Sequence, residues 1–243
     1  MPLKPLNECL SNELGHKGSS LLLMWQHGIC VPDAWLWVTP RLLQDLLHLQ
    51  ECDIRKIILR VSEPLGCDPQ ESSGSSISSV YAFASGDLHE LEHWLSIGEC
   101  VIVQRYVEAN AGGAAHVRES YLGRVVVHLS CALDVSHIME GSESGVEMWI
   151  GDIPPLDGTI APLLISRSDD LPLALASEEF AKEFMSEIRP LALGLGVPFE
   201  VEWVIGEDGR IVFLQLLELK SIERTEYEMW VHPDAATYFA RGG

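Results

Sequence analysis

Residues 199 to 217 constrain the fold more than any other stretch of the chain. Phe199 to Ile205 and Arg210 to Leu217 are two apolar runs rich in branched and aromatic residues, joined by Gly206-Glu207-Asp208-Gly209. Runs of strand length on either side of such a turn form a β-hairpin, because glycine reaches the backbone conformations that tight turns require. Just before them, residues 177 to 195 place apolar side chains at helical spacing. Ser177 is positioned to cap that helix, and Glu178 and Glu179 fall in its first turn, where the macrodipole favours anions. A helix feeding an antiparallel hairpin predicts an α+β architecture.

The rest of the chain extends this reading. Ser19 to Trp25 reads as an apolar helix, Ile29 to Thr39 as a turn entering a strand, and residues 41 to 50 carry leucines at helical spacing. Lys56 to Val61, Val80 to Phe83, Cys100 to Val107 and Gly123 to Leu129 read as strands, and residues 87 to 97 as a helix. Ser62 to Ser79, dominated by Ser, Gly, Pro, Asp and Glu, is expected to be a loop. The polar segment Glu140 to Glu147 lies in a stretch with no clear pattern, and no internal repeat is present.

Composition narrows the function. The chain has 243 residues, 47% of them hydrophobic, enough to bury a substantial core. Sixteen Lys and Arg against 36 Asp and Glu give a formal charge of -20, with no basic cluster, which argues against nucleic acid and anionic membrane surfaces as partners. No apolar run approaches the roughly 20 residues that span a bilayer. The six cysteines are scattered without a paired spacing, and with no apolar signal core at the start the expected location is cytoplasmic.

Four ordered segments carry the chemistry. Leu14-Gly15-His16-Lys17-Gly18-Ser19-Ser20-Leu21 is followed by Gly28-Ile29-Cys30-Val31-Pro32-Asp33-Ala34-Trp35. Leu59-Arg60-Val61-Ser62 leads through a hydroxyl-rich stretch with Ser75 and Ser79 to Phe83, and Val101-Ile102-Val103-Gln104-Arg105-Tyr106-Val107 follows. The last is Phe199-Glu200-Val201-Glu202-Trp203 with Ile211-Val212-Phe213-Leu214-Gln215. A lysine and an arginine can hold phosphates, a hydroxyl-rich loop can close over them, and oxygen ligands such as Glu202 and Gln215 suit a hard Mg²⁺.

In this order the segments resemble the ATP-grasp nucleotide-binding domain that opens PEP synthase, pyruvate phosphate dikinase and rifampin phosphotransferase. The resemblance implies an ATP-grasp fold, two lobes with a nucleotide cleft between them and antiparallel sheets with packed helices. It divides the chain into an amino-terminal lobe over residues 1 to 100, a carboxyl-terminal lobe over 101 to 218 and a tail over 219 to 243. It also implies ATP and Mg²⁺ as cofactors. Lys17 and Arg60 would be the catalytic phosphate contacts, Ser75 and Ser79 the lid, Gln104, Arg105 and Val107 the adenine hinge, and Glu202 with Gln215 the metal ligands. An ATP-dependent phosphotransferase would then activate a small-molecule acceptor, or a phosphohistidine borne by a separate chain.

The sequence departs from that family in places. Leu217 and Glu218 stand where the family has an arginine and a proline, His128 stands where it has a glutamate, and no phosphohistidine loop exists. Losing one charge-assisted phosphate contact weakens binding by roughly 1.5–3 kcal/mol. The alternative is therefore a catalytically degenerate pseudoenzyme that serves as a binding or regulatory subunit.

Local patterns offer competing readings. His89-Glu90-Leu91-Glu92-His93 satisfies the zinc-peptidase pattern HExxH, but no third ligand follows, and a solvated helix is the better account. Lys17 alone would be a surface lysine, Arg60 could pair with a carboxylate, and Glu202 could be an outward strand position. Gln215 sits within an apolar run, where an amide needs partners. His128 reads as a core histidine, and Trp35, Trp37 and Trp203 as packing residues.

Overall fold

A computed structural model describes residues 3–37, 46, 49, 52–62, 78–82, 101–119, 125–132, 146–153, 161–167, 175, 177–196 and 198–218. The strands are β1 (Leu3–Pro5), β2 (Ala34–Trp37), β3 (Lys56–Val61), β4 (Ser78–Ala82), β5 (Val101–Arg105), β6 (Ala109–Glu119), β7 (Val125–Ala132), β8 (Val146–Ile153), β9 (Ala161–Arg167), β10 (Phe199–Gly206) and β11 (Ile211–Glu218). The helices are α1 (Ser11–Gln26) and α2 (Glu178–Leu195). A five-stranded sheet runs β1-β2-β5-β3-β4, and a six-stranded sheet runs β11-β10-β6-β7-β8-β9. Two compact units result, residues 1–109 with 206–216, and residues 110–205 with 217–243.

In the first unit, alternation along each strand separates two faces of the sheet. Trp37, Ile57, Leu59, Val61, Val101 and Val103 point to one face and form a core cluster with Leu46, Leu49 and Ile54. The antiparallel pairs Leu36 with Ile102, Ala34 with Gln104, Arg60 with Ile102 and Ile58 with Gln104 put those residues on the opposite face. Helix α1 lies on that second face. A Cβ added at Gly18 would fall 2.8 Å from both Ile102 Cδ1 and Leu14 Cβ, so glycine here lets the helix lie close to the sheet.

Helix α1 starts at Ser11, eight residues before the expected Ser19, and it is broken at Gly15, where φ is 62° and ψ is -171°. The glycine-containing stretch ahead of Ser19 is therefore a kink within a longer helix. Non-glycine residues rarely reach this backbone region.

In the second unit, β6 carries the close contacts. A Cβ at Gly113 would meet Ser130 O at 1.8 Å, and one at Gly112 would meet Trp203 O at 2.6 Å. Glycines required by strand crowding also hide the strand from a propensity reading, and β6 was not anticipated. Strands β8 and β9 were likewise unanticipated. Helix α2 forms as expected, with Ser177 Oγ accepting from Phe180 N–H at 3.1 Å and Gly196 closing it in a left-handed conformation. Phe180 and Phe184 on α2 meet Trp203 of β10 with ring centroids 5.6 and 5.3 Å apart.

The expected hairpin is present, closed by Gly209 at φ 82° and by Asp208, whose carboxylate accepts from Arg210 N–H at 3.1 Å and pairs with its guanidinium at 2.6 Å. The stretch expected as a loop up to Ser79 gives way to β4 at Ser78, so Ser79 lies in the ladder opposite Leu59. Ser75, the HExxH stretch, the helix of residues 87–97 and most of residues 41–50 lie outside the described residues.

Candidate functional site

The helix-covered face of the first sheet carries the buried polar side chains of Arg60, Gln104 and, at the end of β3, Ser62. Arg60, 3% exposed, projects from β3 and donates through Nη1 to Gln215 Oε1 at 2.7 Å. Gln104 on β5 shares this face and is fully buried. Neither its Oε1 nor its Nε2 has a hydrogen-bond partner among the described residues. A buried amide without partners costs about 1–3 kcal/mol, so Gln104 carries unmet hydrogen-bonding capacity on this face.

Ser62, at the end of β3, ties this face to the kink of α1. Its hydroxyl donates to Leu14 C=O and accepts from Gly18 N–H at 3.3 Å. Those two backbone groups are an i, i−4 pair that an unbroken helix would bond directly. Lys17, half-buried, sits in the first turn after the kink, so Ser62 and Gly15 together fix where its backbone lies. The sequence names Lys17 and Arg60 as candidates but not the serine that links their elements; its placement two residues after Arg60, at a strand end, was the available signal.

The segment leaving β5 offers a mixed set of main-chain groups. Arg105 N–H donates to Asp33 O at 2.8 Å and Tyr106 N–H to Lys56 O at 3.1 Å, so both amides are committed within the unit. The exposed Arg105 side chain pairs with Asp33 at 3.4 Å. Lys56 lies 5.1 Å from the Tyr106 ring centroid and is paired with Glu108, whose carboxylate raises the lysine pKa.

In the second unit, alternation on β10 buries Phe199, Val201 and Trp203 and leaves Glu200 and Glu202 half-buried on the other face. The histidine that replaces the expected glutamate, His128, is 9% exposed. It pairs in register with His116 of β6, and their rings stack with centroids 6.1 Å apart. His116 Nδ1 stands 3.4 Å from Glu200 Oε2. Sequence reading named His128 alone. The period-two pattern His116, Arg118 on β6 would have revealed the row once β6 was recognised as a strand. Glu202 and Gln215 lie on the two strands of the terminal hairpin, four residues before Gly206 and four after Ile211 respectively. Among the described residues, no group of three or more His, Cys, Asp or Glu could hold a metal ion, and no helix is long and apolar enough to cross a membrane.

No protein-family model matches the chain, and no curated protein matches it. Solved structures do. The ADP complex of N5-carboxyaminoimidazole ribonucleotide synthetase superposes with a TM-score of 0.52 at 14% identity, covering 86% of this chain and 46% of that one. N5-carboxyaminoimidazole synthetase from Staphylococcus aureus gives 0.50 at 10% identity, covering 90% and 47%. D-alanyl-alanine synthetase A from Vibrio cholerae O1 biovar eltor gives 0.50 at 9% identity, covering 82% and 53%. The chain thus spans about half the length of each. These structures are ATP-grasp ligases, and the expectation of a PEP-synthase or pyruvate-phosphate-dikinase type is corrected accordingly. The motifs behind that expectation are mostly apolar strand runs and glycine breaks, which set the sheets and the kink and do not separate one ATP-grasp type from another. The chain has an α+β ATP-grasp fold, with antiparallel sheets and packed helices.

Proposed function

We propose that the chain binds ATP with Mg²⁺ and uses it to activate a small-molecule acceptor, in the manner of an ATP-dependent ligase. The observation that carries this reading is that the buried Arg60 guanidinium and the buried, unsatisfied amide of Gln104 share one face of the first sheet. Solved structures of the same fold include one bound to ADP, which supports a nucleotide as the ligand.

In this reading the first unit belongs to the amino-terminal lobe, with Lys17 and Arg60 holding phosphates as fixed positive charges. Ser79, on β4 in the ladder beside Arg60's strand, is proposed to contribute a hydroxyl to the phosphates. The adenine edge meets the main chain at Val107, flanked by Gln104 and Arg105. Glu202 supplies a hard carboxylate oxygen to the metal. ATP supplies the transferable phosphoryl group, and Mg²⁺ neutralises its charge.

Photolabelling with 8-azido-ATP in the presence of Mg²⁺, followed by peptide mapping, tests the assignment. Label confined to the peptide containing Arg105 to Glu108, displaced by ATP, is the expected result. Label spread over unrelated surface peptides and insensitive to ATP refutes it.

A further inference from the structure

We propose that Ser62 is a positioning residue for nucleotide binding: from the end of β3 it caps the part of α1 that carries Lys17, and so holds the main chain at Lys17 in fixed relation to that at Arg60. This inference rests on the nucleotide reading above. Its basis is the pair of hydrogen bonds that the Ser62 hydroxyl makes across the break in α1. It accepts from Gly18 N–H at 3.3 Å and donates to Leu14 C=O, joining residues 44 and 48 positions apart within the first unit.

The first amides of a helix have no partner within it, and a side chain at the N-cap ordinarily supplies the acceptor. The break at Gly15 makes a new helix start at His16, and the residue in the capping place is then a glycine at φ 62°, with no side chain to offer. Gly18 N–H, three residues on, is an amide that a capping side chain normally takes. Ser62 supplies that oxygen from another element. The same hydroxyl donates to the carbonyl just before the break, so one fully buried group holds both sides of the kink.

Ser62 stands two residues after Arg60, and Gly18 directly follows Lys17. A bond from Ser62 to Gly18 therefore ties the element carrying one candidate phosphate contact to the element carrying the other. The close approach of Gly18 to Ile102 adds a second restraint at the same place. Holding a polyphosphate between two long cationic side chains costs less when their main chains are already fixed, because that ordering precedes the ligand. The cap acts on the main chain of Lys17, whatever its ammonium contacts in the absence of nucleotide.

The test uses the full chain with Ser62→Ala, Ser62→Cys and Ser62→Thr, with Lys17→Met, and with Lys17→Met combined with Ser62→Cys; thermal melting establishes which are folded. Ser62→Cys keeps a small side chain that accepts hydrogen bonds only weakly, and it decides the matter if Ser62→Ala does not fold. ATP affinity is measured by calorimetry with Mg²⁺. Ser62→Ala and Ser62→Cys are expected to weaken ATP binding at least about fivefold, and Ser62→Thr, which restores the hydroxyl, to bind within about twofold of wild type. In the Lys17→Met background, Ser62→Cys is expected to add less than about twofold, because the serine acts through Lys17; a serine needed only for stability would add its whole effect. Hydrogen exchange at the Gly18 amide of the nucleotide-free wild-type chain needs no variant, and protection there is expected.

Unchanged ATP affinity in a folded Ser62→Ala or Ser62→Cys chain, an equal loss with and without Lys17, or rapid exchange at Gly18 in the wild type overturns the positioning role while the nucleotide reading stands. Absence of saturable ATP binding by the wild-type chain overturns both.

Discussion

Replacing Ser62 by alanine removes one oxygen atom from a fully buried position and, with it, two hydrogen bonds that cross the break in α1. The hydroxyl stands between Gly18 N–H and Leu14 C=O, which cannot bond directly while Gly15 holds φ at 62°. A typical hydrogen bond contributes about 0.5–1.5 kcal/mol net, and each buried group left without a partner costs about 1–3 kcal/mol. If the kink persists in Ser62→Ala, the expected loss is about 2–4 kcal/mol. With a urea m-value of about 2 kcal/mol/M, the unfolding midpoint falls by roughly 1–2 M. Ser62→Thr retains the oxygen and is expected to lose less than half as much. Urea titration followed by tryptophan fluorescence measures both. A Ser62→Ala midpoint shifted by less than about 0.5 kcal/mol equivalent would refute the argument, because it would mean that the helix closes on its own and the serine braces nothing.

Other perturbations follow from the same structure. Ser177→Ala removes the acceptor for Phe180 N–H and is expected to cost about 1 kcal/mol in equilibrium unfolding, with no loss if the cap is dispensable. Gly113→Ala places a methyl group 1.8 Å from Ser130 O, a backbone atom that cannot step aside. The variant should lose soluble expression or at least about 3 kcal/mol, whereas a wild-type melting curve would show that β6 and β7 are not paired as described. Burial pushes the Cys131 thiol up to about 12 from an ordinary value near 9.0. Its contribution to stability is complete below pH 9 and is lost as pH rises from there towards 12, by about 1.4 kcal/mol per pH unit, because the unfolded thiol ionises first. Cys131→Ala should flatten that part of the alkaline stability profile, and identical wild-type and variant profiles would refute the assignment.

The sequence made some elements legible because local chemistry and tertiary packing agree there. Ser177, Glu178 and Glu179 announce α2, and Gly206 to Gly209 announce the hairpin, since both signals are local. The run Lys56 to Val61 is buried on both faces and so reads as a strand from composition alone. Strand β6 was hidden because Gly112 and Gly113 are selected by crowding against Trp203 and Ser130, a requirement that only the folded sheet reveals. Arg60 was identified as a candidate, but its partner Gln215 lies 155 residues away, and no local pattern links two side chains across that distance. The same limit explains the mistaken family type: strand runs and glycine breaks establish an ATP-grasp fold, whereas the choice among its chemistries rests on side chains brought together from distant segments.

Isothermal titration of the purified chain with ATP and Mg²⁺, repeated on Lys17→Ala and Glu202→Ala, tests whether the chain binds nucleotide as proposed. Saturable micromolar binding that weakens at least about tenfold in both variants is the predicted result, in keeping with the loss of one charge-assisted contact or one metal ligand. No heat of binding at millimolar ATP, or wild-type affinity in both variants, would contradict it.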